Sequence, residues 1–434
     1  MSRRLHNSVR ITVLVALTTL GAFAEDRYLV KVNGDVNAVA KRYGLTVVKS
    51  LTGSGLGRHV LSSKSALPLT VLHNLTSESA VKSAENEKPV RLPGFKPATP
   101  VHPAGAPAGS TRISSTLIRY HDTYASSAYV NQPATDVINM DRAHTLATGK
   151  GTVATIDTGV DFTHSVLRGS LVPGWDFVHN WPLGQETADL NQETTPILDQ
   201  ETTPILDQET TPILDQETTP ILDGKKYPAY GHGTMVAGLI HLVAPDAKIM
   251  PLRAFGSDGS ATISQIVQAI YFAVDRRVDV INMSFSLKQD SPALREALEY
   301  AQSKGVILVA AAGNDGQATQ VWPAAYSSVM GIASTNNLKI RSLFSNYGNS
   351  LVTLAAPGEG VITLYPREHY AQVWGTSFSA PLVAGAAALL VDMNSRTNEG
   401  MAVSNLSHAT AIGQELGAGE LDLYQAVLAA KRKD

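Results

Sequence analysis

The chain has 434 residues, with 35 Lys and Arg against 38 Asp and Glu, and a formal charge of −3 at pH 7. That length accommodates two or three domains, or one large α/β domain with additions, and the slightly acidic balance argues against nucleic acid as a partner. There is no cysteine, which excludes disulfides, thiolate metal sites and a cysteine nucleophile.

A leader opens the chain. Arg3, Arg4 and Arg10 flank or precede an apolar stretch from Ile11 to Ala24, too short to span a bilayer comfortably. It closes on Ala22-Phe23-Ala24, a small-x-small cleavage pattern before Glu25. The expectation is a signal peptide over 1–24 and export to the extracellular space or periplasm, with no stable membrane insertion after its removal. An uncleaved anchor is the competing reading.

Residues 25–91 read as a small α/β domain. Tyr28 to Val32 alternates like a strand, Val36 to Tyr43 has helical spacing, and Gly44 is placed to end that helix. Leu45 to Val48 and His59 to Leu61 are strand-like, Leu67 to Leu75 suits a second helix, and Ala80 to Arg91 is extended. The order β-α-β-β-α-β is that of a ferredoxin-like unit. Residues 92–116 are rich in Pro, Gly and Ala, the composition of an extended linker open to proteolytic cleavage.

Residues 117–434 form the main domain. Thr152 to Ile156, Val278 to Met283 and Val306 to Ala310 are short apolar runs, as buried parallel strands should be. The amphipathic segment Ser291 to Ser303 lies between the last two and ends at Gly305. Strand, helix and strand at this spacing predict a doubly wound, mostly parallel α/β sheet, with ligands at the carboxyl ends of its strands. One segment, 192–223, breaks the order: Gln192-Glu193-Thr194-Thr195-Pro196-Ile197-Leu198-Asp199 recurs unchanged from Gln200, Gln208 and Gln216. A proline in each copy forbids a continuous helix. A solvated insertion made by tandem duplication is the plain reading, and an acidic flap beside the site is the sharper one.

Three strings carry the chemistry. Ile156-Asp157-Thr158-Gly159-Val160 ends a strand. Gly231-His232-Gly233-Thr234-Met235-Val236-Ala237-Gly238 opens an apolar helical stretch. Gly375-Thr376-Ser377-Phe378-Ser379-Ala380-Pro381 leads into an Ala-rich helix running to Val391. A serine hydroxyl needs a base to take its proton, and a neutral histidine needs an acidic residue to hold its tautomer. Asp157, His232 and Ser377 supply that set, and the amides at a helix start favour developing negative charge. Asn314, in Ala310-Ala311-Ala312-Gly313-Asn314 after a strand, offers an NH2 that would serve with the Ser377 N–H as oxyanion donor. Ser379 is the rival nucleophile, but the Gly-Thr-Ser context favours Ser377. Asp161 and His164 read as solvent-facing or structural, His179 and His241 as structural, and Asp246 as a surface turn residue. Trp374 reads equally as cleft border or core.

These motifs, in this order and with Val280-Ile281-Asn282-Met283-Ser284 between the second and the third, resemble the catalytic domain of the subtilisin-like serine peptidases (subtilases) from about Arg142 to Asn394. The resemblance implies a serine endopeptidase acting on protein or peptide substrates through an acyl-enzyme. In subtilisin, loss of the asparagine donor costs about 3 kcal/mol of transition-state stabilisation. Residues 25–91 are similar, more weakly, to the family's propeptide, which assists folding and blocks the cleft until cleaved, here within the linker. The substrate would pair with the edge Ser284-Phe285-Ser286, against a wall of Ala311, Ala312 and Gly313. Ser286 and Val321 stand where glycines are common, which implies a shallow pocket for small or medium apolar side chains.

Val166 stands where many relatives carry a calcium-binding aspartate, and the stretch from Gly238 to Pro245 is too short for their calcium loop. No cofactor is required on this reading, and the high-affinity calcium site is expected to be absent, with weaker calcium sites elsewhere left open. A monomer is expected. Two alternatives remain: an inactive scaffold that binds partners through the acidic repeats, and an amidase or esterase of the same fold.

Relatives usually have methionine directly after the nucleophile, and here it is Phe378, which has no thioether to oxidise. Hydrolytic activity is expected to survive mild peroxide. Rapid inactivation with modification mapped beside Ser377 by mass spectrometry is the contrary result.

Overall fold

A computed structural model describes residues 26–51, 57–63, 68–87, 89–92, 116–185 and 228–432. The leader, residues 93–115 of the linker and the octapeptide copies lie outside the described residues.

The N-terminal unit follows its local periodicities. It runs β1 (Asp26–Val32), α1 (Val36–Arg42), β2 (Thr46–Ser50), β3 (Arg58–Ser63), α2 (Pro68–Ser77), β4 (Val81–Asn86) and the short β5 (Pro89–Arg91). Asp35 caps α1 by accepting the Asn37 N–H, and Gly44 leaves the helix at φ +64°. The sheet order is β2-β3-β1-β4 with all neighbours antiparallel, the arrangement expected of a ferredoxin-like unit. Strand alternation then gives the sheet two apolar faces. Tyr28, Val30 and Leu61 pack on the unit's own helices, while Leu29 and Val60 join the core of the main domain.

The main domain begins differently from the expected alternation. Its first elements are an antiparallel hairpin, β6 (Leu117–Tyr120) with β7 (Thr123–Ser126), and three short helices, α3 (Ser127–Val130), α4 (Pro133–Val137) and α5 (Met140–His144). The regular pattern starts at β8 (Thr152–Asp157). There follow β9 (Trp175–Asp176), β10 (Trp181–Pro182), α6 (His232–Val243), β11 (Lys248–Arg253), β12 (Ser260–Thr262), α7 (Ile263–Asp275), β13 (Val280–Met283), α8 (Pro292–Ser303), β14 (Ile307–Ala311), β15 (Met330–Thr335) and β16 (Leu354–Pro357). A hairpin of β17 (Glu359–Tyr365) and β18 (His369–Trp374) precedes α9 (Thr376–Met393), and α10 (Glu399–Leu406) and α11 (Leu423–Lys431) finish the domain.

The large sheet has the order β10-β9-β11-β8-β13-β14-β15-β16, parallel throughout except for the β10–β9 edge. Successive residues of each strand bury on opposite faces, which explains why the strands read as unbroken apolar runs. Ile307, Val309 and Ala311 face the layer of α6 and α9, whereas Leu308 and Ala310 face α7 and α8. Helix α9 is long and apolar enough to cross a membrane, but 89% of it is buried in this core. The strand order turns around β8, so the carboxyl ends of β8, β13 and β14 form the crevice that such sheets use for ligands.

The N-terminal unit sits on α7 and α8. The Arg58 guanidinium, 1% exposed, donates to Glu296 Oε2 on α8 at 2.6 Å, and Lys31 pairs with the other oxygen of the same carboxylate. Glu85 accepts the Ala293 N–H at the start of α8 at 2.9 Å, where a carboxylate also opposes the helix dipole. Beyond the sheet, β5 pairs antiparallel with β12, and the Leu92 N–H reaches the Gly259 carbonyl at 2.8 Å.

One buried carboxyl stands out beside β15 and β16. Glu420 is fully buried, bridges the backbones of Ala355 and Thr410, and accepts the Thr335 hydroxyl at 2.9 Å. Burial, opposed in part by that hydroxyl and by Lys339, pushes its carboxyl up to about 7 from 4.5. The folded state therefore holds a proton between these values that the unfolded chain releases, and stability falls as pH rises from about 4.5 to about 7. Glu420→Gln is expected to raise the thermal midpoint at pH 8, by up to about 3 kcal/mol of stability, and to lose that advantage near pH 4.5. An equal effect at both pH values in calorimetry would refute the assignment.

Candidate active site

Asp157 is the last residue of β8 and His232 the first of α6. The pair is 75 positions apart, yet His232 Nδ1 lies 2.7 Å from Asp157 Oδ1, with the residues 2% and 1% exposed. The same oxygen accepts the Thr158 N–H at 2.8 Å, and the Thr158 hydroxyl accepts the Gly233 N–H at 3.0 Å. Thr158 thus ties the strand end to one of the free amides of the helix start. Thr234 continues the seam by accepting the Asp161 N–H at 2.9 Å. With Nδ1 directed to the carboxylate, Nε2 is left as the basic nitrogen.

Ser377 occupies the second position of α9, after Gly375 as N-cap. Of the amides at this start, that of Gly375 donates to the Gly358 carbonyl at 2.8 Å and that of Phe378 to the Gly375 carbonyl at 3.0 Å. The Ser377 hydroxyl donates to the Ser284 carbonyl at 3.1 Å, while the Ser284 hydroxyl donates to the Ser377 carbonyl at 2.8 Å. Asn282 Nδ2 in turn donates to the Ser284 hydroxyl at 3.0 Å. This two-way clamp holds the start of α9 against the end of β13. The His232 ring packs beside Phe378, with ring centroids 5.5 Å apart.

Asn314 follows β14 and is half-buried. Its Oδ1 accepts both the Thr376 N–H, at 2.9 Å, and the Thr376 hydroxyl, at 2.8 Å. With the oxygen so engaged, the NH2 lies beside Gly375, 3.4 Å from the point a Cβ there would occupy. The Gly313 N–H donates to the same Thr376 hydroxyl at 3.1 Å. Sequence reading passes over Thr158 and Thr376, although both stand beside a motif residue. Their β-hydroxyls next to a strand end and a helix start are the available signal.

The expected substrate edge divides in two. Ser284 and Phe285 are fully buried, Ser284 in the clamp and Phe285 against Phe255 at 5.2 Å between centroids. Their backbone alone is left for pairing with a peptide. Ala311 and Ala312 likewise bury their methyl groups in the core, so their stretch presents main chain. Ser286 is half-buried, and its Oγ and Val321 Cγ2 lie 3.5 and 3.4 Å from the point a Cβ on Gly313 would occupy. Ser286, Gly313 and Val321 therefore meet at one place. A cavity of about 850 Å³ runs from Ser286, Leu287 and Asn314 to Pro89 and Leu92 of the N-terminal unit.

The remaining candidates, Trp374 apart, make contacts within the fold. Asp161 is buried, not solvent-facing, because its carboxylate accepts the Thr163 and Arg367 N–H groups at 2.8 and 2.7 Å. His164 is fully buried and reaches the His369 carbonyl. His179 pairs with Asp176, which also accepts Arg253. His241 packs on Ser170, and burial pushes it down to about 4. Asp246 is exposed and accepts the Thr148 hydroxyl. Ser379 is fully buried against Gly358, and Trp374 is half-buried on β18. Val166, 3% exposed, lies in the apolar core.

The model of the subtilase family matches residues 149–421. Thermitase of Thermoactinomyces vulgaris is 32% identical over 320 residues, covering 71% of this chain and 98% of that protein. A thermophilic serine proteinase of Bacillus sp. (strain AK1) is 34% identical over 238 residues, 55% of this chain and about half, 51%, of its own length. Among solved structures, fervidolysin of Fervidobacterium pennivorans, described as a keratinolytic enzyme related to subtilisin, aligns with a TM-score of 0.68 over 93% of this chain and 61% of its own. At 21% identity it is a likeness of fold.

Gly233 is where the strand end and the helix start come closest: a Cβ there would stand 2.0 Å from the Gly159 carbonyl oxygen. Gly233→Ala is expected to move the start of α6 by about 1 Å, to lower the melting temperature, and to slow fluorophosphonate labelling of Ser377 about 100-fold. Labelling at the wild-type rate would show that this contact does not set the histidine.

Proposed function

This chain belongs to the subtilase family, and on that premise we propose that it is a secreted serine endopeptidase that hydrolyses peptide bonds through an acyl-enzyme. The observation that carries the reading is the convergence of the Asp157–His232 pair, the Ser377 helix start and the oriented Asn314 amide at the ends of three adjacent strands.

Ser377 Oγ attacks the carbonyl carbon of the substrate as its proton passes to His232 Nε2. Asp157 holds the imidazole through Nδ1 and stabilises the imidazolium. The new oxyanion takes hydrogen bonds from Asn314 Nδ2 and the Ser377 N–H. As the tetrahedral species collapses, the C–N bond breaks and His232 returns the proton to the leaving amine. Water then repeats the sequence on the ester and restores the serine. The resting bond from Ser377 to the Ser284 carbonyl opens for this, in keeping with catalytic contacts that tighten only when substrate binds.

The N-terminal unit is a folding aid and inhibitor that stays over the cleft until the chain cuts itself within 92–116. Its extended tail, β5, lies along β12 next to the cavity that reaches Ser286 and Asn314, which supports this role. The meeting of Ser286 and Val321 at Gly313 supports a shallow pocket for small or medium apolar side chains before the scissile bond. The enzyme works as a monomer without a required cofactor, and the apolar setting of Val166 supports the lack of a high-affinity calcium site.

The test compares the full chain with Ser377→Ala. Wild type is expected to hydrolyse casein, to label with a fluorophosphonate and to shorten itself within the linker, with a peptide-library profile of Ala, Val or Leu type before the cut. Ser377→Ala is expected to lose all three reactions and remain at full length after export. A folded wild type with an open cleft and no labelling would favour an inactive scaffold, and a profile dominated by Phe or Tyr would refute the shallow pocket.

A further inference from the structure

The last sheet bond on the strand leading to Asn314 runs from the Ala312 N–H to the Ile332 carbonyl, at 2.9 Å. Beyond it the loop leaves the sheet, and its backbone groups need other partners. One residue supplies four of them. Asn346, fully buried between β15 and β16, donates from Nδ2 to the Ala312 carbonyl at 3.0 Å. Its Oδ1 accepts the N–H groups of Asp315 and Gln317, both at 3.1 Å. Its own N–H donates to the Gly313 carbonyl at 3.0 Å. The neighbouring Phe344 carbonyl takes the Gly316 N–H at 2.7 Å.

The contacts fall on both sides of Asn314, at residues 312 and 313 before it and 315 and 317 after it. Gly313 is shaped to the same partner. Its φ is +90°, and a Cβ there would stand 2.6 Å from Asn346 Nδ2. Thr376 orients the Asn314 amide from the helix side, and Asn346 anchors the backbone that carries it from the sheet side. A half-satisfied buried asparagine would be costly, and here the amide uses both of its ends on a single loop.

We propose that Asn346 is a positioning residue for the reaction, fixing the loop so that Asn314 Nδ2 meets the oxyanion. The proposal rests on the reading of Asn314 as oxyanion donor. Asn346 does not touch substrate. It acts through Asn314, and a displacement of about 1 Å at such a donor suffices to lower the rate about 100-fold.

A double-mutant cycle separates this from a purely structural role. Asn346→Ala, Asn314→Ala and the double variant are made in the full chain, and peptide anilide turnover is normalised to the sites titrated by a fluorophosphonate. Asn346→Ala is expected to lower kcat per titrated site by about 10- to 100-fold, with KM within about threefold. Asn314→Ala is expected to lower kcat by about 100-fold or more, and the double variant to stay within about threefold of it. If the two losses multiply, or if Asn346→Ala keeps the wild-type kcat per site while only its melting temperature falls, the proposal is overturned and the reading of Asn314 stands. A wild-type kcat in Asn314→Ala overturns that reading and the proposal with it. Should Asn346→Ala not accumulate as folded protein, Asn346→Asp, which keeps the volume and removes the donation to Ala312, takes its place in the cycle. The same loss of kcat then supports the proposal, and multiplying losses or an unchanged kcat overturn it.

Discussion

The 2.7 Å contact between Asp157 and His232 is the constraint around which the rest of the crevice is arranged. It requires the end of a central strand to meet the start of a helix at backbone contact, and no Cβ fits between the Gly159 carbonyl and Gly233. Thr158 fastens the two with one hydroxyl, and the burial of both residues removes water that would weaken the pair. The two residues are 75 positions apart in sequence and still make this contact.

The chemistry of the site draws on groups that the fold leaves unpaired. The start of α9 has amides without helical partners, and the carboxyl ends of β13 and β14 lead into loops whose backbone has left the sheet. Most of these groups are taken up by short polar side chains: Ser284 on the Ser377 carbonyl, Asn314 on the Thr376 N–H, and Thr376 and Asn346 on the loop around Asn314. On the proposed reading this is preorganisation in a physical sense, because the donors would be held by protein rather than by water before any charge develops.

The N-terminal unit is attached by a different balance. Its sheet contributes apolar residues to the core beneath α7 and α8, so the two units share one hydrophobic interior. Across the same boundary it buries Arg58 against Glu296, a pair whose loss of hydration opposes its attraction. The apolar contact and the β5–β12 pairing supply the grip, and the charges restrict how the unit can sit. The unit places β5 at the cavity beside Ser286 and Asn314.

The amino-acid sequence by itself determined the identity and order of Asp157, His232, Ser377 and Asn314, the strand or helix each one ends or begins, and the β-α-β-β-α-β course of residues 26–86. These follow from local periodicity and glycine placement, which depend on neighbours along the chain. It also announced a parallel sheet, but not the opening hairpin β6–β7 or the hairpin before α9, whose strands pair antiparallel outside the large sheet. Only the tertiary structure decided that the Ser284 hydroxyl turns inward to Ser377, 93 positions away, that Phe285 leaves only main chain at the expected substrate edge, and that Asn346 reaches the Asn314 loop from 29 to 34 positions beyond. A hydrogen bond is set by the direction in which two atoms face each other. For partners on separate strands and helices, that direction exists only after the sheet and its helices have packed.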